Sequence, residues 1–85
     1  MELKFNAIIL QNGNMDAAYI EVPYDIKKIF GKGRLLVNAT FDGVPYSGQV
    51  VKMGTPCYII GVTKQVRKQI NKSFGDEIEV ILRER

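Results

Sequence analysis

The sequence predicts a mainly β fold with two short helices, and two observations lead to this prediction. Short apolar runs rich in β-branched and aromatic residues alternate with turn residues along the chain, as in small antiparallel proteins. The segment "VPYDIKKIFGKGRLLVNATF" is also loosely repeated in "VTKQVRKQINKSFGDEIEV". We therefore expect a single domain over residues 1–85, whose two halves bury their apolar faces against each other around a pseudo-two-fold axis.

Two strands and a helix are predicted in the first part of the chain. The apolar run at residues 3–10 is typical of a strand, and Gly13 predicts a hairpin turn to a second strand at residues 17–22. Pro23 has a fixed φ and no N–H, which suits the first turn of a helix that ends at the left-handed cap Gly31. Helical spacing places three apolar residues on one face of this helix: Ile26, Ile29 and Phe30.

A hairpin is predicted in the middle of the chain. Asp42 and Gly43 separate two strand-like runs at residues 34–41 and 44–53, and this pair favours a two-residue turn because both positions need positive φ. Gly48 inside the second run predicts a bulge or a close approach at the backbone.

The last part repeats the pattern of strand, helix and strand. A strand at residues 57–62 leads to Thr63, which is placed to cap a helix by accepting from the N–H of Val66. Asn71 stands where a left-handed cap is expected, and a final strand lies within residues 74–85. The inward side of the helix is predicted to contain Val66, Gln69 and Ile70. The final strand alternates, with one face formed by Ile78, Val80 and Leu82.

The two halves align with a forty-residue offset. The aligned pairs are Ile20 with Ile60, Val22 with Val62, Ile26 with Val66, Lys28 with Lys68, and Phe30 with Ile70. This predicts a duplicated unit of strand, helix and strand. The alternative is chance similarity between two unrelated β-α-β segments.

Several residues and short motifs occur along the chain in an order that is similar to that of a known family. They are the Val22-Pro23 helix start, Phe30-Gly31, Phe41-Asp42-Gly43, Tyr46, Gly48, Met53-Gly54, Arg67 and Gly75-Asp76. In this order the chain resembles the family called domain of unknown function 1905. The resemblance implies a small, partly open, double-split-like β-barrel of about six strands capped by the two helices. It implies no activity.

The last third is also similar to the swapped-hairpin half of AbrB/MazE proteins, in which two chains pair to form one barrel. The similar segment is "VTKQVRKQINKSFGDEIEVIL". One chain that contains two such halves resembles a fused version of that dimer. We therefore expect a monomer.

The composition excludes several classes of chemistry. The chain has no histidine and one cysteine, Cys57, so it lacks the usual zinc, iron or copper ligand sets and any histidine-based acid–base catalysis. One cysteine cannot form an intramolecular disulfide, which is typical of a reducing compartment. Its apolar runs are too short to span a membrane. We expect a cytoplasmic, non-enzymatic protein with no catalytic residues, cofactor, metal or membrane contact.

The basic residues are concentrated in two windows and indicate the leading functional hypothesis. The chain has a net charge of +3, and eight of its twelve basic residues lie in these windows: Lys27, Lys28, Lys32 and Arg34 in the first, Lys64, Arg67, Lys68 and Lys72 in the second. Such clusters suit an anionic partner, with nucleic acid as a candidate. The structural alternative is that these cations stabilise helix C-termini.

Two further functions are compatible with the sequence. A small-molecule or enzyme-accessory site at a barrel mouth would use Tyr24, Tyr46 and Arg67. A protein–protein interaction module would be recognised by an exposed apolar patch or a free sheet edge.

Overall fold

Seven strands and two helices follow one another in the computed structural model, which describes residues 1–52, 54 and 56–85. The elements are β1 (Glu2–Ile8), β2 (Leu10–Gln11), β3 (Ala18–Val22), α1 (Ile26–Phe30), β4 (Leu35–Phe41), β5 (Val44–Val50), β6 (Tyr58–Val62), α2 (Lys64–Ile70) and β7 (Glu77–Glu84). Met53, the last residue of the strand predicted at residues 44–53, lies outside the described residues, as does Thr55.

The strands form two antiparallel sheets, in the orders β1-β7-β4-β5 and β2-β3-β6. Within the described residues the two sheets are not joined into a closed barrel, so the prediction of a mainly β, partly open structure with two short helices is confirmed. The core lies between the sheets. Its largest fully buried side chains include Phe41, Ile9, Ile20, Ile26, Leu35, Ile60, Ile78 and Leu82.

The first predicted strand divides at Ile9, which is why there are seven strands rather than six. The backbone of Ile9 bonds to Asp76 and Gly75, while β1 pairs with β7 along its whole length. Only Leu10 and Gln11 pair with β3. The prediction of a simple hairpin between the first two strands was therefore wrong for β1, because the chain passes from one sheet to the other at a fully buried isoleucine.

Helix α1 begins later than predicted and buries less of its apolar face. Asp25 caps it by accepting from the N–H of Lys28 at 3.2 Å, so Pro23 precedes the helix and does not lie in its first turn as predicted. With only five residues, the helix buries Ile26 fully and leaves Ile29 38% exposed. The spacing does place the three apolar residues on one face, but the core covers only part of that face, so Phe30 packs partly buried against it and Ile29 does not.

Helix α2 has the predicted caps but a different inward face. Thr63 accepts from the N–H of Val66 at 3.2 Å, and Asn71 adopts the left-handed conformation with φ of 56°, so both cap predictions are confirmed. Gln69, however, is exposed, and Arg67 is buried in its place. Helical periodicity predicts which side of α2 faces the core. Which polar residue is buried on that side depends on tertiary contacts, and here these are the contacts of Arg67.

The central hairpin follows its sequence signal. Asp42 and Gly43 have φ of 49° and 85°, as the two-residue turn between β4 and β5 requires. At Gly48 the ladder with β4 is continuous, so there is no bulge; instead the ring of Tyr46 lies over the glycine, only 2.5 Å from where a Cβ would be. The close approach is therefore confirmed. Among the described residues, no helix is long and apolar enough to cross a membrane.

Candidate functional site

The second basic window lines one groove beside α2. This cavity, of about 450 Å³, is lined by Asp16, Lys64, Arg67, Lys68, Asn71, Lys72, Ser73 and Asp76. Helix α2 and the turn that follows it position the four basic residues at the groove. The first window does not contribute to its lining.

Arg67 is the most constrained residue of this groove. Its side chain is 7% exposed, and its guanidinium stacks 5.1 Å from the centre of the Phe74 ring. It donates to the carbonyl of Val62 at 3.3 Å, to the carboxylate of Asp16 at 3.1 Å and to the carbonyl of Asp16 at 3.4 Å. Arg67 therefore joins α2 to β6 and to the β2–β3 loop, which is a structural role.

Asp16 is the anionic partner of two basic residues in the groove. Its carboxylate lies 3.1 Å from Arg67 and 3.2 Å from Lys64. The hydrogen bonds from Arg67 and then from Lys64 hold the pKa of Asp16 below its usual value. The predicted site did not include Asp16. The residues around Asp16 give no sign that it pairs with a basic residue, because Arg67 is 51 residues away in the chain.

Lys72 joins the turn after α2 to the central hairpin. Its ammonium lies 2.6 Å from the carboxylate of Asp42 and donates to the carbonyl of Glu77 at 2.7 Å. The hydrogen bond from Lys72, supported by the backbone N–H of Glu79, lowers the pKa of Asp42. The positive charge of Lys72 is therefore largely neutralised within the protein.

Lys28, Lys68 and two other window residues differ from Lys64, Arg67 and Lys72, which form ion pairs. Within the described part of the chain, no ion pair engages Lys27, Lys28, Arg34 or Lys68. Lys32, by contrast, forms an ion pair with Glu84 at 3.0 Å. All four unengaged side chains belong to exposed residues, so their charges face solvent.

The residues predicted for a barrel-mouth pocket are not brought together. Tyr24, Tyr46 and Arg67 line three different cavities. The Tyr24 ring packs edge-on against Phe5, and the Tyr46 ring packs against Phe41, each with centroids 5.8 Å apart. Both tyrosines thus pack against apolar side chains. Among the described residues, no three histidine, cysteine, aspartate or glutamate side chains are grouped to hold a metal ion.

The model of the family described as Domain of unknown function (DUF1905) matches residues 5–82. The chain belongs to the DUF1905 family. None of the curated proteins compared with it matches. The DUF1905 match includes both helices and every residue that lines the α2 groove, so the groove lies within the family domain.

Proposed function

We propose that the protein is a non-enzymatic binding module for an anionic partner, with nucleic acid as the class to test first. One observation carries this proposal. Six basic side chains form ion pairs within the described chain, and four of the remaining six lie in the two windows: Lys27, Lys28, Arg34 and Lys68. These unneutralised cations are available for phosphate contacts.

We further propose that the two windows are equivalent parts of a duplicated chain, related by an internal two-fold axis. Strands β3 and β6 pair antiparallel with Ile20 directly opposite Ile60, and these residues are also matched by the forty-residue offset. An axis through this pair relates each strand to the other. The same offset relates Gly31 to Asn71, which both adopt left-handed conformations after their helices.

The ion pairs of the two halves also support this duplication. Lys32 follows α1 and pairs with Glu84 at the end of β7, while Lys72 follows α2 and pairs with Asp42 at the end of β4. Strands β4 and β7 are neighbours in the same sheet. On this proposal the chain is a cytoplasmic monomer that corresponds to a fused AbrB/MazE-type pair of halves.

Lys28 and Lys68 are the residues on which to test the anionic partner. They are equivalent under the forty-residue offset, and neither is engaged in an ion pair in the described chain. We expect a labelled mixed-sequence DNA duplex, or a single strand of equal length, to bind with an affinity that falls steeply with salt. Fluorescence anisotropy in Lys28→Gln/Lys68→Gln should show weaker binding and a log–log salt slope shallower by about two.

The matched control is Lys4→Gln/Arg83→Gln, which makes the same change in net charge on the strands. Both control side chains are exposed and already form ion pairs, with Glu79 and Glu2. This variant should bind almost as the wild type does. Equal weakening by both variants would indicate a net-charge effect, and an absence of binding at low salt would contradict the nucleic-acid proposal.

A further inference from the structure

Strands β5 and β6 belong to different sheets, and a gap separates them at Gln49 and Gly61, which we call the split. Among the described residues, one bridge joins the chain just after β5 to β6, and in it Val51 and Ile59 exchange hydrogen bonds of 3.0 and 2.8 Å. In a strand, the N–H and C=O groups of alternate residues point to the same side. Gln49 and Gly61 therefore direct their backbone groups into the gap next to the bridge.

These backbone groups have no strand partner in the described chain. Strand β5 is paired on its other side with β4, and β6 on its other side with β3. A cavity of about 460 Å³ opens between Gln49 and Gly61. Both walls of the cavity thus present unpaired donors and acceptors, the arrangement to which an extended chain can add as a strand.

The side chains around the split define the chemistry of an occupant. Leu36 is 50% exposed at the cavity and offers an apolar contact, while Gly61 has no side chain to obstruct a close backbone. Arg85 is the only charged residue among the described residues that line the cavity. Among the described residues its guanidinium makes one long contact, 3.5 Å to the carbonyl of Gly48, so most of its donors remain for a ligand.

We propose that this split binds an extended peptide segment of a partner protein, which adds as a strand along β5. Leu36, Gln49 and Arg85 lie on one face of the sheet, so the segment carries on that face an apolar residue that packs on Leu36 and, two positions away, an acidic residue that pairs with Arg85. Pro45 lies on the same side of β5 as Gln49 and has no N–H, so the added strand ends before it.

The forty-residue offset relates the split to a second cavity, which lies beside β1 and β3. This second cavity does not fit the same ligand. That cavity is lined by Glu21 and Glu77 and by no basic residue among those described. An acidic peptide is repelled there, because two carboxylates face it without a counter-charge. This second cavity provides a matched control for the proposed site.

The probe is a labelled heptapeptide, acetylated and amidated at its ends, in which valine and glutamate alternate at the odd positions and threonine occupies the even ones, so that valine and glutamate share one face. We expect saturable binding to the full chain by fluorescence anisotropy. The same peptide with N-methyl groups on alternate amides should lose binding, because it cannot form the ladder. Replacement of its glutamates by lysine should weaken binding at least tenfold, because Arg85 then faces like charge.

Gln49→Pro tests the site on the protein side. It removes one N–H from the open edge of β5 while keeping the ladder to β4, as Pro45 already does. Binding should weaken roughly tenfold. The control Ile8→Pro alters the corresponding open edge of β1 and should leave affinity unchanged. Leu36→Asp changes an exposed residue and should likewise weaken binding, because its carboxylate repels the acidic peptide; it tests the site if Gln49→Pro misfolds.

Several results would overturn the proposal. These are an absence of saturable binding, equal binding of the N-methylated peptide, or equal losses in Gln49→Pro and Ile8→Pro. A loss caused by Lys28→Gln/Lys68→Gln instead would place the peptide on the basic windows. If sedimentation showed a dimer of the chain that Gln49→Pro dissociates, the occupant would be a second copy and not a partner peptide.

Discussion

The replacement of Arg67 by alanine separates a structural role from a binding role. Arg67 is a basic residue of the second window, yet its side chain is buried and bonded to Val62 and Asp16 and stacked on Phe74. If these contacts hold α2 against the sheets, Arg67→Ala should destabilise the fold. If Arg67 mainly serves a ligand, the variant should keep its stability and lose binding.

Three terms set the expected magnitude. Loss of the hydrogen bond to Val62 costs about 1 kcal/mol, and loss of the cation–π contact with Phe74 costs about 0.5–1 kcal/mol. Removal of two buried methylenes costs about 0.8 kcal/mol each. The ion pair with Asp16 adds little, because that carboxylate is exposed. We expect the free energy of unfolding to fall by roughly 3 kcal/mol.

Urea denaturation followed by circular dichroism measures this loss, and a drop in Tm of more than about 10 °C should accompany it. Arg67→Met keeps the aliphatic packing and should lose about half as much. Lys68→Ala, one residue further on an exposed face, should change stability by less than about 0.5 kcal/mol. A loss below about 1 kcal/mol in Arg67→Ala would refute the structural reasoning.

Two other predictions concern acid stability and the close approach at Gly48. The lowered pKa of both Asp16 and Asp42 means that their contribution to stability is complete above the unfolded value of 3.8 and is lost as pH falls through the folded values. Asp42→Asn should therefore flatten the decline of urea stability below about pH 4, and an unchanged decline would contradict this. Gly48→Ala places a Cβ 2.5 Å from the Tyr46 ring and should cost about 1–3 kcal/mol, which Tyr46→Leu relieves. Gly33→Ala, which meets open space, is its control, and equal stability of the two variants would argue against the close approach.

The sequence predicted the candidate site only in part. The second window does line one groove, since helical spacing places Lys64, Lys68 and Arg67 within a single short helix. Charge counting alone could not separate Arg67 from Lys68, although one is buried and bonded and the other is exposed. The difference depends on Asp16 and Phe74, and no residue pattern specifies these partners.

What the sequence by itself determined is local. The Asp42-Gly43 turn, the Thr63 cap and the alternation along β7 follow from dihedral preferences and from the two-residue period of a strand, so neighbouring residues suffice to predict them. Only the tertiary structure decided where the first strand crosses between sheets at Ile9 and which carboxylate neutralises Lys72. Periodicity specifies which face a residue occupies, whereas a partner is selected by proximity in three dimensions between segments far apart in the chain.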